Sequence, residues 1–173
     1  MILLVMGVSG SGKTTIAQAL SDRLGWTFAD GDDFHSADAR AKMHAGIPLT
    51  DADRIPWLER IAAWITSRHA EGKDAVIACS ALRRTYRNIL TSAAPDTRII
   101  YLKGSPELIA SRLRHRAGHF MPPSLLSSQF ETLQEPEPDE AAIKVDVDGT
   151  VASIVDAILD RLGRPERGAA PVS

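Results

Sequence analysis

The chain has 173 residues, 44% of them hydrophobic and 24% charged, the balance of one globular domain with a substantial core. A formal net charge of −2 gives no electrostatic case for binding nucleic acid or a membrane surface. The lone cysteine, Cys79, excludes an intramolecular disulfide framework and a multi-cysteine zinc site, and no apolar run approaches a membrane span.

Ile2-Leu3-Leu4-Val5-Met6 is a short apolar run that reads as a buried strand; without a basic leader it does not read as a signal peptide. Gly7-Val8-Ser9-Gly10-Ser11-Gly12-Lys13-Thr14 then fits the phosphate-loop pattern G-x-x-x-x-G-K-[ST] at every fixed position. Ile16, Leu20 and Leu24 follow at the spacing of a helix face, and Gly25 is a fitting stop. Strand, glycine loop and helix form the context in which this motif grips phosphate. The glycines let backbone N–H groups turn inward, and the helix dipole adds its positive end. Lys13 is expected to reach the β- and γ-phosphates and Thr14 to coordinate Mg²⁺, with Thr15 also at the ATP site.

Trp26–Ala29 reads as a second strand, ending at Asp30-Gly31-Asp32-Asp33-Phe34-His35. With strand alternation Asp30 and Asp32 would point the same way, about 7 Å apart. That suits one carboxylate near the metal and one at an acceptor hydroxyl; turn chemistry is the plainer alternative. His35 is a substrate contact or a loop cap. Ser36 can cap a short helix to about Ala45, and Thr50 another whose regular part starts at Pro56. Trp57, Leu58, Ile61, Trp64 and Ile65 give that helix a wide apolar face.

Ala75–Cys79 is a third strand, and it ends without the aspartate that many phosphate-loop enzymes carry there. A helix over Thr85–Leu90 would put Arg83 and Arg87 on one face at i, i+4, with Arg84 elsewhere. Arg54, Arg83 and Arg87 are the cations available for an acceptor carboxylate. Arg98–Leu102 is a fourth strand, and Ser105-Pro106-Glu107 starts a helix. Arg112, Arg114, His115, Arg116 and His119 crowd around its end, a pattern that fits an arginine-bearing lid over about residues 112–124. Ser124 can cap the next helix, Glu135–Asp139 reads as an exposed connector, and Ile143, Val145 and Val147 alternate as a fifth strand. An amphipathic helix from Val151 to Leu162 closes a single domain over residues 1–163, and residues 164–173 read as a frayed tail. Strands alternating with helices predict an α/β fold with a mostly parallel sheet covered on both faces, its ligands beyond the carboxyl ends of the strands.

The blocks taken together resemble the gluconate kinase family. They are Met6–Lys13, Asp30-Gly31-Asp32 with His35, Asp53-Arg54-x-Pro56-Trp57-Leu58, Cys79-Ser80-Ala81-Leu82-Arg83 with Tyr86-Arg87, Tyr101–Gly104, Gly118-His119-Phe120 and Ser128–Pro136. They run in order from about Leu3 to Leu162. The resemblance implies a P-loop kinase fold with a five-stranded parallel sheet and a lid, often as a homodimer; ATP chemistry and a reduced thiol both suit the cytoplasm. It implies ATP-dependent phosphorylation of D-gluconate to 6-phospho-D-gluconate with Mg²⁺. It assigns Gly7, Val8, Ser9, Gly10, Ser11, Gly12, Lys13, Thr14 and Thr15 to ATP, together with Arg112 and Arg116, the latter a catalytic candidate with Lys13 and Asp32. Thr14 and Asp30 fall to the metal, and Asp32, His35, Arg54, Arg83 and Arg87 to the sugar acid. A kinase for another small polyol acid, or a phosphate-loop switch without turnover, remains open at this level.

Overall fold

The computed structural model describes residues 1–116 and 123–163. The middle of the expected lid and the expected tail therefore lie outside the described residues. Five strands, β1 (Ile2–Met6), β2 (Thr27–Asp30), β3 (Ala75–Ala78), β4 (Thr97–Lys103) and β5 (Ile143–Asp146), form one parallel sheet in the order β2-β3-β1-β4-β5. The unbroken apolar character of β1 follows from its central place, with both faces covered. Leu3 and Val5 point into one core, while Ile2, Leu4 and Met6 point into the other.

The first core is closed by α1 (Lys13–Leu24) and α7 (Val151–Leu162), through Ile16, Leu20, Ile154 and Ile158. The second is closed by α3 (Asp51–Ala70) and α4 (Arg84–Thr91), through Trp57, Leu58, Ile61, Tyr86 and Leu90. The short helix α2 (Ala37–His44) is capped by Ser36, and α5 (Pro106–His115) by Ser105. A sixth helix, α6, spans Pro123–Thr132. No helix among the described residues is long and apolar enough to cross a membrane.

Several expectations are corrected. Helix α3 runs unbroken from Asp51, with Pro56 inside it. A reciprocal box between Thr50 and Asp53 secures its first turn, and Pro56 is exposed, so the carbonyl deprived of its partner can face water. Helix α6 begins at Pro123, which places Ser124 within the helix and not at its cap. The acidic connector is exposed as expected except at Pro136, but it is also anchored. Pro136 is buried, Arg84 pairs with Glu137 and Asp139, and Pro138–Glu140 forms a 3₁₀ turn.

Candidate active site

The phosphate loop leaves β1 at the carboxyl edge of the sheet and delivers Lys13 to the first turn of α1. Gly10 has φ +83°, and a Cβ there would stand 2.8 Å from Leu113 Cγ, so the loop can pass α5 only with glycine. Lys13 Nζ donates to the Val8 carbonyl at 3.1 Å, which leaves further ammonium protons for phosphate oxygens. Burial lowers the Lys13 pKa, the Asp32 and Asp30 charges oppose that, and Arg116 adds to it.

Strand β2 ends at Asp30, where the chain turns into a 3₁₀ helix over Gly31–Phe34. The strand alternation expected for Asp30 and Asp32 therefore does not persist. Gly31 lies so close to the Ala78 carbonyl that a Cβ would sit 2.7 Å from it, and Asp30 Oδ1 accepts the Asp32 N–H at 3.0 Å. The other Asp30 oxygen, Oδ2, accepts from Thr14 Oγ1 at 3.1 Å. Asp30 thus joins the phosphate loop to the acceptor-side turn.

Asp32 keeps its carboxylate in the open cleft. Desolvation by the surrounding walls raises its pKa, and the Asp30 charge raises it further against the pull of Lys13 and His35. The His35 ring stacks on Trp57 with centroids 4.3 Å apart, and its Nε2 lies 3.9 Å from Asp32 Oδ1. Trp57 is itself fixed by donating from Nε1 to the Gly31 carbonyl at 2.7 Å. Burial lowers the His35 pKa against the opposing pull of the Asp32 carboxylate. Cys79 lies at the end of β3, its thiol pushed up to about 12 by burial, which leaves it no nucleophilic part.

A cleft of about 960 Å³ joins the phosphate loop to Asp30, Asp32 and Cys79, with His35 behind Asp32 and outside its lining. Its lining includes Lys13, Thr14 and Thr15 from the nucleotide side, Asp30 and Asp32 from the turn, and Arg112 and Arg116 from the end of α5. Arg112 also donates to the Val147 carbonyl, which ties α5 to the exit of β5. Arg40, Met43 and His44 from α2 line the same cleft, a placement the sequence pattern does not announce. The only signal available was the i, i+4 spacing of Arg40 and His44 beside the Asp30–His35 turn.

The three acceptor arginines separate. Arg87 is 1% exposed and gives Nε and Nη2 to Glu140 at 2.6 and 3.0 Å, with Nη1 3.1 Å from the Ala81 carbonyl and 3.2 Å from that of Leu82. Its donors are committed to the fold, which corrects its expected place at the substrate. Arg83 is the N-cap residue of α4, so it does not share a helix face with Arg87 as expected. Arg54 and Arg83 do come together: an Nη1 of each lies 3.8 Å from an Asp51 carboxylate oxygen. Tyr86 donates to Asp51 at 2.5 Å and receives Arg54 Nη1 at 3.4 Å. This quartet stands apart from the residues lining the cleft.

Fold and site define a P-loop kinase: a parallel sheet, a glycine loop with lysine and threonine, and carboxylates facing it across a cleft. The protein-family profile described as AAA domain matches residues 2–136. A probable gluconokinase of Mus musculus is 44% identical over 178 residues, covering 93% of this chain and 97% of the relative. The gluconokinase of Gluconobacter oxydans is 48% identical over 143 residues, 83% of this chain and 80% of the relative. The crystal structure of a gluconokinase from Sinorhizobium meliloti superposes with a TM-score of 0.86 at 43% identity, covering 93% of this chain and 90% of that one. The chain belongs to the gluconokinase family.

Proposed function

We infer that this chain transfers the terminal phosphoryl group of ATP to the far hydroxyl of D-gluconate, releasing ADP and 6-phospho-D-gluconate. The observation that carries this, beyond family membership, is the cleft that sets Asp32 opposite the phosphate loop and its Lys13. The hydroxyl oxygen forms the new bond to phosphorus as the bond to the ADP oxygen breaks. Asp32 accepts the hydroxyl proton, and its raised pKa makes it a better base than an ordinary carboxylate. Lys13 and the loop N–H groups stabilise the charge on the transferring group, with Arg116 next to contribute.

The site fits Mg²⁺. Thr14 Oγ1 and Asp30 Oδ2 offer two hard oxygens at one point, and this ion takes few protein ligands when phosphates supply the rest. Thr14 and Asp30 would hold the ion, which when bound would offset negative charge on the transferring phosphate. Arg54 and Arg83, gathered around Asp51, are the cations proposed for the gluconate carboxylate. His35 is proposed to orient Asp32 and bound substrate through its Nε2 edge. The family resemblance supports a homodimer, which light scattering would test; ATP chemistry and a reduced Cys79 suit a cytoplasmic setting. ADP release measured over a panel of sugar acids tests the assignment, with D-gluconate the expected acceptor.

A further inference from the structure

Two glutamines near the end of α6 touch the two loops that serve the two substrates. Gln129 Oε1 accepts the backbone N–H of Ser9, in the phosphate loop, at 2.6 Å. Gln134 lies just beyond the helix. Its Oε1 accepts the Arg84 N–H at 2.8 Å, and its own N–H donates to the Leu82 carbonyl at 2.8 Å. Leu82 and Arg84 bracket Arg83, one of the two arginines proposed for the acceptor carboxylate.

Each bond meets a need of the loop it reaches. Arg83 is the N-cap residue of α4 and supplies no side-chain cap, so the first turn has N–H groups in want of an acceptor. Gln134 provides one from 50 residues away. Ahead of Arg83, Ala81 sits at φ +43°, a conformation alanine rarely takes, so this segment relies on outside bonds to hold its shape. In the phosphate loop, Gly10 backs onto Ile109 and Leu113 of α5. The Ser9–Gly10 corner is thus gripped by α5 on one side and by Gln129 on the other. A phosphate loop works by presenting backbone N–H groups in a fixed array. A corner left loose would have to be ordered by the nucleotide itself, at the expense of affinity.

We propose that Gln129 and Gln134 are positioning residues at the C-terminal end of α6: Gln129 holds the phosphate loop ready for ATP, and Gln134 holds the Leu82–Arg84 segment ready for the sugar acid. This rests on the gluconokinase reading. Neither side chain is asked to touch a reacting atom. The consequence is a division of labour between two residues five apart, which a general structural role would not produce.

The test is steady-state kinetics of Gln129→Leu and Gln134→Leu with both substrates varied, together with hydrogen exchange of the Ser9 and Arg84 amides. Losing one such bond should raise KM for ATP about tenfold in Gln129→Leu and KM for gluconate about tenfold in Gln134→Leu. The other KM should stay near wild type in each case. Exchange should quicken at Ser9 in the first variant and at Arg84 in the second. Gln134→Glu keeps an acceptor oxygen and should restore the gluconate KM. Both KM values moving together, or neither moving, would overturn the proposal. Fluorescence titration of Gln129→Leu with ADP examines the nucleotide tie without any turnover. If the wild-type protein ignores gluconate, the gluconokinase reading fails, while weaker ADP binding by Gln129→Leu would still uphold the loop tie and unchanged binding would overturn it.

Discussion

Arg87 and Glu140 form a two-bond ion pair, Nε to Oε1 at 2.6 Å and Nη2 to Oε2 at 3.0 Å, with both side chains nearly sealed from water. Burial alone would raise the Glu140 carboxyl. Its bonds from Arg87 and the Glu137 N–H, with the arginine charges, hold it below the usual carboxylate range. The remaining Arg87 nitrogen reaches the Ala81 and Leu82 carbonyls, so the pair staples the β5 approach to the acceptor segment.

Breaking a buried pair by removing one partner leaves a charge without compensation, which typically costs about 3–5 kcal/mol. Glu140→Ala and Arg87→Leu should therefore each lower the unfolding midpoint markedly, as measured by denaturant titration. Arg87→Lys should recover only part of the loss, because an ammonium cannot reproduce the two-pronged contact. A variant as stable as wild type would show that the pair contributes nothing.

Asp32→Asn keeps the side-chain size and removes the base, so kcat should drop about 10²–10⁴-fold. The same change should stabilise the protein at pH 7. A carboxyl whose folded pKa lies above its unfolded value weakens the fold where it is ionised, and the penalty fades as pH falls through the folded pKa. Loss of turnover with a raised melting temperature is the expected pairing. A lowered melting temperature would mean that Asp32 supports the fold.

Asp30 is the second-largest influence raising the Asp32 pKa. Asp30→Asn should consequently shift the acid limb of the kcat/KM profile to lower pH, as Asp32 loses its negative neighbour. It should also weaken Mg²⁺ dependence in a way that added Mg²⁺ partly restores. An acid limb that stays in place would separate the two carboxylates electrostatically.

Arg54 and Arg83 share the Asp51 carboxylate with the Tyr86 hydroxyl. Charge-removing changes at either arginine should raise KM for gluconate and leave KM for ATP nearly unchanged. Glucose and sorbitol, which lack the carboxylate, should be very poor acceptors, since they offer the two guanidinium groups no anion to bind. Equal use of sorbitol and gluconate would remove the arginines from substrate recognition.

The parts legible in the sequence are those carried by local pattern. The apolar run of β1, the phosphate-loop spacing and the four-residue period of α1 each specify their own geometry. The site was less legible wherever a side chain answers to a distant partner. Arg87 reads as an acceptor cation because Glu140 is 53 residues away, in a stretch whose prolines and acids look exposed. The Asp30–Asp32 turn looks extended because the Ala78 carbonyl that crowds Gly31 belongs to another strand. Arg40 and His44 escaped notice because α2 buries only Ala39, which leaves no apolar stripe to orient its polar face.

The most direct measurement follows ADP release and the phosphorus spectrum of the purified protein with ATP and Mg²⁺, before and after adding D-gluconate. Saturable, gluconate-dependent ADP release is expected, with a phosphomonoester on the terminal hydroxyl and a loss of about 10²–10³-fold in kcat for Lys13→Ala with the fold intact. ADP release indifferent to gluconate, or wild-type turnover by folded Lys13→Ala, would contradict this mechanism.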